Sequence, residues 1–326
     1  MNKPKDEPGL QTILSHCGRN LEASGGYVNV PPYEGSTILH DDMEDLFGRV
    51  DNHLYGDGTA QTYGTDGGPT HEAFYDAMNK LEGGAGTWAF STGLAGCTIP
   101  MMAFLKTGDH MLVTDSVYGP TRQFCEVLLK NFGVEAEFYE PTIGAGIEKL
   151  IRPNTRLIYM ESPGTHTFEM QDVPAIAAVA RKYNIVTMID NTYATPLNFQ
   201  PLKHGVDVVV HSATKYICGH SDVLMSTVTC NEKNWKQVRD VCKMTGQYAS
   251  AQSVYLGLRG LRTLKVRLDA VGVHTRKVVD WLLKREEVKK VIWPAYEKDP
   301  GYRIYKRDYS GPIGLFAFQL QDQYTD

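Results

Sequence analysis

Residues 207–216 read Asp-Val-Val-Val-His-Ser-Ala-Thr-Lys-Tyr. Directly after the aspartate comes an uninterrupted run of β-branched residues, Val208–Val210. A run without polar alternation is typical of a strand that is buried on both faces of a parallel sheet. We therefore predict an inner strand at Val206–Val210. The hydroxyl and amine groups of the stretch come directly after this strand, at its carboxyl end.

Six further strands are predicted on either side of this stretch, and they alternate with longer helical runs such as Thr121–Phe132 and Val173–Tyr183. The predicted strands are Thr87–Ser91, His110–Thr114, Ala136–Tyr139, Arg156–Met160, Val186–Ile189 and Met225–Thr229. Such alternation predicts an α/β fold with a mostly parallel seven-stranded sheet and helices on both faces. Thr70 is predicted to cap a helix over His71–Glu82 that ends at Gly83.

The pattern divides the chain into three parts. Residues 1–62 are rich in Gly, Pro, Asp and Asn and are predicted to form an intersubunit arm. Residues 63–256 are predicted to form the large domain and residues 257–326 a smaller α/β domain. The smaller part shows one long helix to about Lys284 and two strands, at Val288–Ile292 and 314–320. Since so few elements leave a sheet uncovered, we expect this domain to be incomplete at its C-terminus.

Composition and charge narrow the function classes. The chain has 326 residues and a formal net charge of −5, which argues against a nucleic-acid-binding protein. Its N-terminus lacks an apolar signal segment, and its longest apolar run, about residues 93–105, is too short to span a bilayer. Six cysteines show no C-x-x-C pair and no zinc spacing, so we expect reduced thiols, no metal site and a cytoplasmic protein without membrane contact.

Two predicted strands are followed by groups that suit a flat, phosphorylated ligand. In open parallel sheets, ligands bind outside the carboxyl ends of the strands. The small-residue turn at 92–96 could offer the backbone N–H groups of Gly93 and Leu94 to a phosphate, or be an ordinary turn. Tyr118 could stack on a planar ring, or pack under its own loop.

The next two strand ends carry a carboxylate and an amine. Asp190 is costly to bury unless it faces a cation such as a protonated ring nitrogen, although it could also cap a helix. Lys215 could act as a nucleophile, or be a surface lysine. Ser212 and Thr214, at alternate positions, could place both hydroxyls on one phosphate. A carboxylate and a lysine at neighbouring strand ends are the arrangement that a pyridoxal phosphate (PLP) site requires.

Five ordered motifs resemble the Cys/Met-metabolism, or trans-sulfuration, family of PLP-dependent enzymes. They are Leu81–Gly84, Met188–Tyr193, Ser212–Tyr216, Gly219–Asp222 and Gly257–Leu264. The resemblance extends from about Tyr63 to Leu320. It implies the aspartate aminotransferase-like α/β fold of PLP-dependent transferases (fold type I) and a homo-oligomer, usually a dimer of dimers.

The resemblance also implies residue roles. Lys215 would be the Schiff-base lysine, Asp190 the partner of the pyridine nitrogen and Tyr118 the residue stacked on the ring. Gly93, Leu94, Ser212 and Thr214 would bind the phosphate, and Tyr63 would reach a neighbouring subunit's phosphate. The implied catalytic residues are Lys215, Tyr118 and Tyr63. The family often has an arginine two residues after that tyrosine, but this chain has Thr65.

Within the family, Glu161-Ser162-Pro163-Gly164 followed by Thr165-His166 resembles the β-lyase branch, because other branches usually have Asn-Pro shortly after this proline. The branch implies β-elimination from an amino-acid thioether, with cystathionine giving homocysteine, pyruvate and ammonia in methionine biosynthesis. Other family reactions, namely γ-elimination, γ-synthesis and sulfhydrylation of an O-acylhomoserine, remain alternatives. A PLP-binding regulatory module without catalysis is a further alternative.

Overall fold

A computed structural model describes residues 8–22, 24–56, 58–311 and 314–324 of the chain. The first seven residues of the predicted arm lie outside the described residues. The α-helices are α1 Leu10–His16, α2 Met43–Tyr55, α3 Pro69–Glu82, α4 Gly93–Thr98, α5 Gly119–Gln123, α6 Val173–Lys182, α7 Thr195–Asn198, α8 Glu232–Met244, α9 Ala251–Leu261, α10 Leu264–Leu282 and α11 Tyr302–Asp308. The strands are β1 Gly86–Phe90, β2 His110–Thr114, β3 Glu135–Tyr139, β4 Thr155–Glu161, β5 Val186–Asp190, β6 Val208–His211, β7 Ser226–Cys230, β8 Val288–Ile292 and β9 Ala317–Leu320.

Strands β1 to β7 form one sheet in the order β1-β7-β6-β5-β4-β2-β3. Strand β7 pairs antiparallel with β1 and β6, while the pairs of β6, β5, β4, β2 and β3 are parallel. The prediction of a mostly parallel seven-stranded sheet is therefore confirmed. Each of the seven strands predicted for this sheet agrees with the structure to within two residues at either end, whereas the strand predicted at 314–320 begins only at Ala317.

The β-branched run in β6 is buried on both sides, as its sequence predicts. Val208, Val209 and Val210 are fully buried. Val208 and Val210 belong to one apolar cluster, whereas Val209 belongs to the cluster on the opposite face of the sheet. Since side chains alternate across a strand, this run holds two apolar layers on one central strand and fixes the position of its carboxyl end.

Helix α3 ends as predicted but begins differently. Its first residue is Pro69, which suits the first helical turn, and it ends before Gly83, whose φ of 74° is left-handed. Thr70 lies inside the first turn instead of capping it. Its buried hydroxyl donates to the carbonyl of Pro31 at 2.7 Å and accepts from the N–H of Tyr33 at 2.9 Å. A long-range contact with the arm therefore takes the hydroxyl that the sequence suggested for a local cap.

The predicted arm contains two helices with different environments. Helix α1 packs against α3, and the guanidinium of Arg262 donates to the carbonyls of Leu14 and Cys17 at 2.6 and 2.7 Å. In contrast, none of the residues of α2, all of which are described, is buried. Met43, Phe47 and Leu54 on this helix are 53–60% exposed.

The single long helix that the sequence predicts near the C-terminal part is two helices, α9 and α10, which meet at Arg262-Thr263. Helix α9 packs against α3, and α10 leads to the antiparallel pair β8 and β9. Buried Trp293 is the largest side chain of a small apolar cluster there. The domain boundary at 256/257 falls within α9, and the three-part division remains a prediction.

Two further observations concern the chain as a whole. Among the residues that the structure describes, no helix combines the length and apolar character that a membrane span requires. All six cysteines are free and buried.

Phe74 should be central to the packing of α3 on α9. It is fully buried, and a Cβ built on Gly257 of α9 would lie 3.2 Å from its ring. We expect Phe74→Ala to lower the free energy of unfolding by about 3–5 kcal/mol through loss of apolar burial and the cavity left behind. Denaturant titration measures this, with Phe132→Ala, at a 53% exposed site, as the matched control. Equal losses in the two variants would contradict this packing.

Candidate active site

A cavity of about 640 Å³ lies at the carboxyl ends of β1, β4, β5 and β6. It brings together all but one of the residues that the sequence singled out. These are Gly93, Leu94, Tyr118, Asp190, Ser212, Thr214 and Lys215. Nine other lining residues were not predicted as site residues, and Cys97, Glu161 and Thr165 are among them.

Lys215 lies on a tight turn that follows β6. Its N–H donates to the carbonyl of Ser212 at 3.0 Å, and its carbonyl accepts from the N–H of Gly219 at 2.8 Å. The guanidinium of Arg267 donates to the carbonyl of Tyr216 at 2.6 Å and so anchors the turn from α10. The backbone of the turn is thus fixed, while the side chain of Lys215 is exposed to the cavity.

Asp190 is the last residue of β5 and is 8% exposed. One of its oxygens accepts from the N–H of Thr192 at 2.9 Å, so the carboxylate does not cap a helix. The other oxygen lies 3.5 Å from the Sγ of Cys97, whose thiol donates to it. Burial is the main cause that raises the pKa of Cys97, and the charge of Asp190 adds to it. Cys97 therefore remains a thiol and serves as a hydrogen-bond donor to the carboxylate.

A narrow gap lies between the start of α4, which follows β1, and the turn after β6. We call this gap the glycine cradle, because Gly93 and Gly96 form one of its sides and Ser212 and Ser226 face them. A Cβ built on Gly93 would lie 2.6 Å from the Oγ of Ser212, and one on Gly96 would lie 2.3 Å from the Oγ of Ser226. Only glycine allows the start of α4 to come so close to these hydroxyls. The first N–H groups of a helix have no partner within it, so Gly93 and Leu94 can donate to an anion beside Ser212.

Thr214 is in the cavity wall, but its hydroxyl is engaged. It donates to the carbonyl of Met225 at 3.1 Å and accepts from the N–H of Met225 at 2.9 Å. The sequence pattern predicted two equivalent hydroxyls at 212 and 214. The structure instead distinguishes them, because the hydroxyl of Thr214 joins the turn to the start of β7.

Glu161 is a second buried carboxylate, one strand away from Asp190. The two residues are register partners in the parallel pair β4 and β5. The Oε2 of Glu161 accepts from the N–H of Tyr118 at 2.8 Å, and its Oε1 accepts from the hydroxyl of Thr165. Burial, together with the negative charge of Asp190, raises the pKa of Glu161 to about 8. The sequence singled out Glu161 only as the first residue of the motif at 161–166 and gave it no role in the site.

Tyr63 lies apart from the cavity. It precedes a short 3-10 turn at Gly64–Asp66 and is 52% exposed. The carboxylate of Asp66 accepts from the N–H groups of Thr62 and Tyr63 at 2.7 and 3.1 Å, which fixes this loop. Asp66 therefore faces its own chain and does not replace the family arginine that is absent at Thr65.

These groups fit PLP. The cofactor presents an aldehyde, a ring nitrogen and a phosphate. The cavity offers an amine on Lys215, a buried carboxylate on Asp190, and a cradle at Gly93 that a side chain would fill. The donor set therefore provides a chemically suitable partner for each functional group of the cofactor.

The comparisons with known proteins agree with this chemistry. The sequence profile of the "Cys/Met metabolism PLP-dependent enzyme" family matches residues 11–326. The chain is 39% identical to cystathionine β-lyase of Haemophilus influenzae, over 97% of the chain and 80% of the relative. It is 38% identical to cystathionine β-lyase MetC of Escherichia coli, over 96% of the chain and 79% of the relative.

A solved structure gives the same fold. The crystal structure of cystathionine γ-lyase from Lactobacillus plantarum, complexed with L-serine, superposes with a TM-score of 0.89 at 29% identity. It matches 97% of this chain and 79% of its own length. The expected PLP-dependent α/β fold is confirmed.

Glu161 should make the stability of the cofactor-free protein depend on pH. In the folded protein the carboxyl group of Glu161 keeps its proton up to about pH 8, whereas in the unfolded chain it loses it above about pH 4.5. Between these pH values the folded state therefore binds more protons than the unfolded state. Stability from this group is therefore lost as the pH rises from about 5 to 8. We expect Glu161→Gln to show a smaller fall in Tm over this range than the wild type.

Thermal unfolding at constant ionic strength measures the effect. Glu140→Gln, at an exposed glutamate, is the matched control and should keep the wild-type slope. If Tm fell with pH equally steeply in Glu161→Gln and in the wild type, Glu161 would be ionised over the whole pH range.

Proposed function

The chain belongs to the Cys/Met metabolism family of PLP-dependent enzymes, and we propose that it is a carbon–sulfur lyase that splits L-cystathionine by β-elimination. One observation carries the proposal: a single cavity is lined by Lys215, by Asp190 and by the glycine cradle at Gly93. The balanced reaction converts cystathionine and water into homocysteine, pyruvate and ammonia. It would serve methionine biosynthesis.

The cofactor contacts follow from the cavity wall. Lys215 would hold the aldehyde end of PLP and Asp190 its protonated ring nitrogen. Gly93, Leu94 and Ser212 would hold the phosphate, with Thr214 as a further hydroxyl in the wall. Tyr118, 45% exposed at the cavity, is the aromatic residue that we assign to the ring.

PLP, when bound, supplies an electron sink for the negative charge that develops on the substrate's α-carbon. The chain's own residues move the proton. The Nζ of Lys215, as a free amine, takes the α-proton and holds it while the thiolate leaves the β-carbon. The N–H of Thr192 and the thiol of Cys97 donate to the oxygens of Asp190 and hold this carboxylate in the cavity wall.

We propose that the working unit is a homo-oligomer, with a dimer of dimers as the expected form. Met43, Phe47 and Leu54 leave an apolar stripe on α2 uncovered within one chain. Tyr63 lies outside its own chain's cavity, which suits a residue that serves a neighbour's phosphate. Six buried free cysteines suit a reducing compartment, and we propose a cytoplasmic location.

Lys215→Ala should abolish elimination, because the variant loses both the cofactor's attachment and the base for the α-proton. We expect kcat to fall by at least about 10³-fold. Pyruvate release from L-cystathionine in the presence of added PLP measures this. Lys203→Ala, at an exposed lysine in the turn before β6, is the control and should remain active. An active Lys215→Ala variant would overturn the proposal.

Tyr63→Phe should lower kcat/KM about tenfold through loss of a hydrogen bond to the phosphate. If Tyr63 serves a neighbour's site, mixed dimers of Tyr63→Phe and Lys215→Ala subunits each regain one intact site. Refolding an equal mixture should then give about a quarter of wild-type activity. An activity equal to the mean of the two variants alone would place the role of Tyr63 within its own subunit.

A further inference from the structure

We propose that Glu161 is a positioning residue that joins the loop of Tyr118 to the stretch of Thr165 and so presets Tyr118 at the cavity wall before the cofactor binds. The inference deepens the proposed function and rests on it, because Tyr118 is assigned there to the cofactor ring. It concerns the chain's own hydrogen bonds, so cofactor affinity can test it without turnover.

The geometry gives Glu161 two partners from two different loops. Its Oε2 accepts from the backbone N–H of Tyr118 at 2.8 Å, and its Oε1 accepts from the hydroxyl of Thr165. Glu161 itself ends β4 and is 8% exposed. A buried residue of the rigid sheet therefore bridges two loops that both reach the cavity.

The two loops also meet directly beside this bridge. The N–H of Thr165 donates to the carbonyl of Ser116 at 2.8 Å. A Cβ built on Gly164 would lie 2.3 Å from the Oγ of Ser116, so this close approach requires glycine. The Gly164-Thr165 stretch thus packs against the chain just before Tyr118, and Glu161 holds the pair against the sheet.

The backbone contact matters because Tyr118 stands at the exposed start of a short helix. Tyr118 precedes α5, which has only five residues, and its side chain is 45% exposed. The carbonyl of Tyr118 accepts the helical hydrogen bond from the N–H of Arg122 at 3.0 Å. The N–H of Tyr118 lies before the helix and donates to Glu161 instead. Without the carboxylate, the buried end of this loop loses its link to β4.

The burial of Glu161 beside Asp190 costs free energy, which argues that Glu161 has a specific role. It lies in register with Asp190, so two acidic side chains share one end of the sheet. Of the side chains that line the cavity, all of which the structure describes, Lys215 is the cation. A buried carboxylate beside another one is unfavourable unless its hydrogen bonds compensate. Those bonds lead to the two loops and to no cation.

A double-mutant cycle on PLP affinity tests the proposal. The full-length cofactor-free protein and its variants are titrated with PLP, and bound cofactor is followed by visible circular dichroism. We expect Glu161→Ala to weaken PLP binding about tenfold. If Glu161 acts through Tyr118, adding Glu161→Ala to Tyr118→Ala should change the affinity by less than about twofold.

A matched control exists in the same chain. Glu140, at the end of β3, accepts from the N–H and the hydroxyl of Thr142 at 3.4 and 3.1 Å, but lies on an exposed loop. Glu140→Ala therefore removes the same kinds of hydrogen bond away from the cavity and should leave PLP affinity unchanged.

Should Glu161→Ala fail to fold, Thr165→Val removes one half of the bridge. We expect about threefold weaker PLP binding in that variant, again only while Tyr118 is present.

The outcomes separate this inference from the proposed function. Equal PLP affinities in Glu161→Ala, Glu140→Ala and the wild type would overturn the inference alone. So would a tenfold loss from Glu161→Ala that persists undiminished in the Tyr118→Ala background. A wild-type protein that binds no PLP would overturn the proposed function and this inference with it.

Discussion

The parallel register of β4, β5 and β6 is the constraint on which the site depends. Glu161 pairs with Asp190, and Asp190 pairs with Val210, so three strands end at one edge of the sheet. The turn with Lys215 begins two residues after Val210. Because alternate residues of each strand are buried in apolar layers on opposite faces, a shift of one residue would exchange the layers and is strongly disfavoured. The packing of the sheet thus positions the carboxylates and the lysine before any ligand binds.

The electrostatics of the cavity follow from this arrangement. The buried carboxylate of Asp190, the buried carboxyl group of Glu161 and the exposed amine of Lys215 would face a cofactor that brings a dianionic phosphate and a ring nitrogen. The phosphate would be met by backbone N–H groups and a serine hydroxyl, and position 65, where we expected the family's arginine, is a threonine. Because these donors are neutral, the affinity for the phosphate would depend more strongly on the glycine cradle. It would also depend more strongly on the contribution expected of a neighbour's Tyr63. Cys97 adds a thiol donor to Asp190, which stabilises that carboxylate without adding charge.

Most of the fold and seven of the sixteen residues that line the cavity could be predicted from sequence, because strand burial and strand ends are local patterns. The β-branched run in β6 and the polar residues after it show this most directly. Long-range contacts could not be predicted: Thr70 binds Pro31 instead of capping α3, and Thr214 binds Met225. No role was predicted for Cys97, or for Glu161 beyond its place in the motif at 161–166. Neither a thiol in a helix nor a carboxylate that ends a strand has a sequence pattern that indicates its hydrogen-bond partners. Their roles arise from which residues the folded sheet brings beside them.

The proposed β-elimination requires the cavity to direct cleavage to the bond between the sulfur and the β-carbon of an amino-acid thioether. It is tested most directly by incubating the purified, PLP-loaded chain with L-cystathionine and identifying the 2-oxo acid by mass spectrometry. We expect pyruvate, together with homocysteine and ammonia. Release of 2-oxobutyrate would mean γ-elimination and would contradict the proposed reaction, and the absence of any 2-oxo acid would contradict lyase activity.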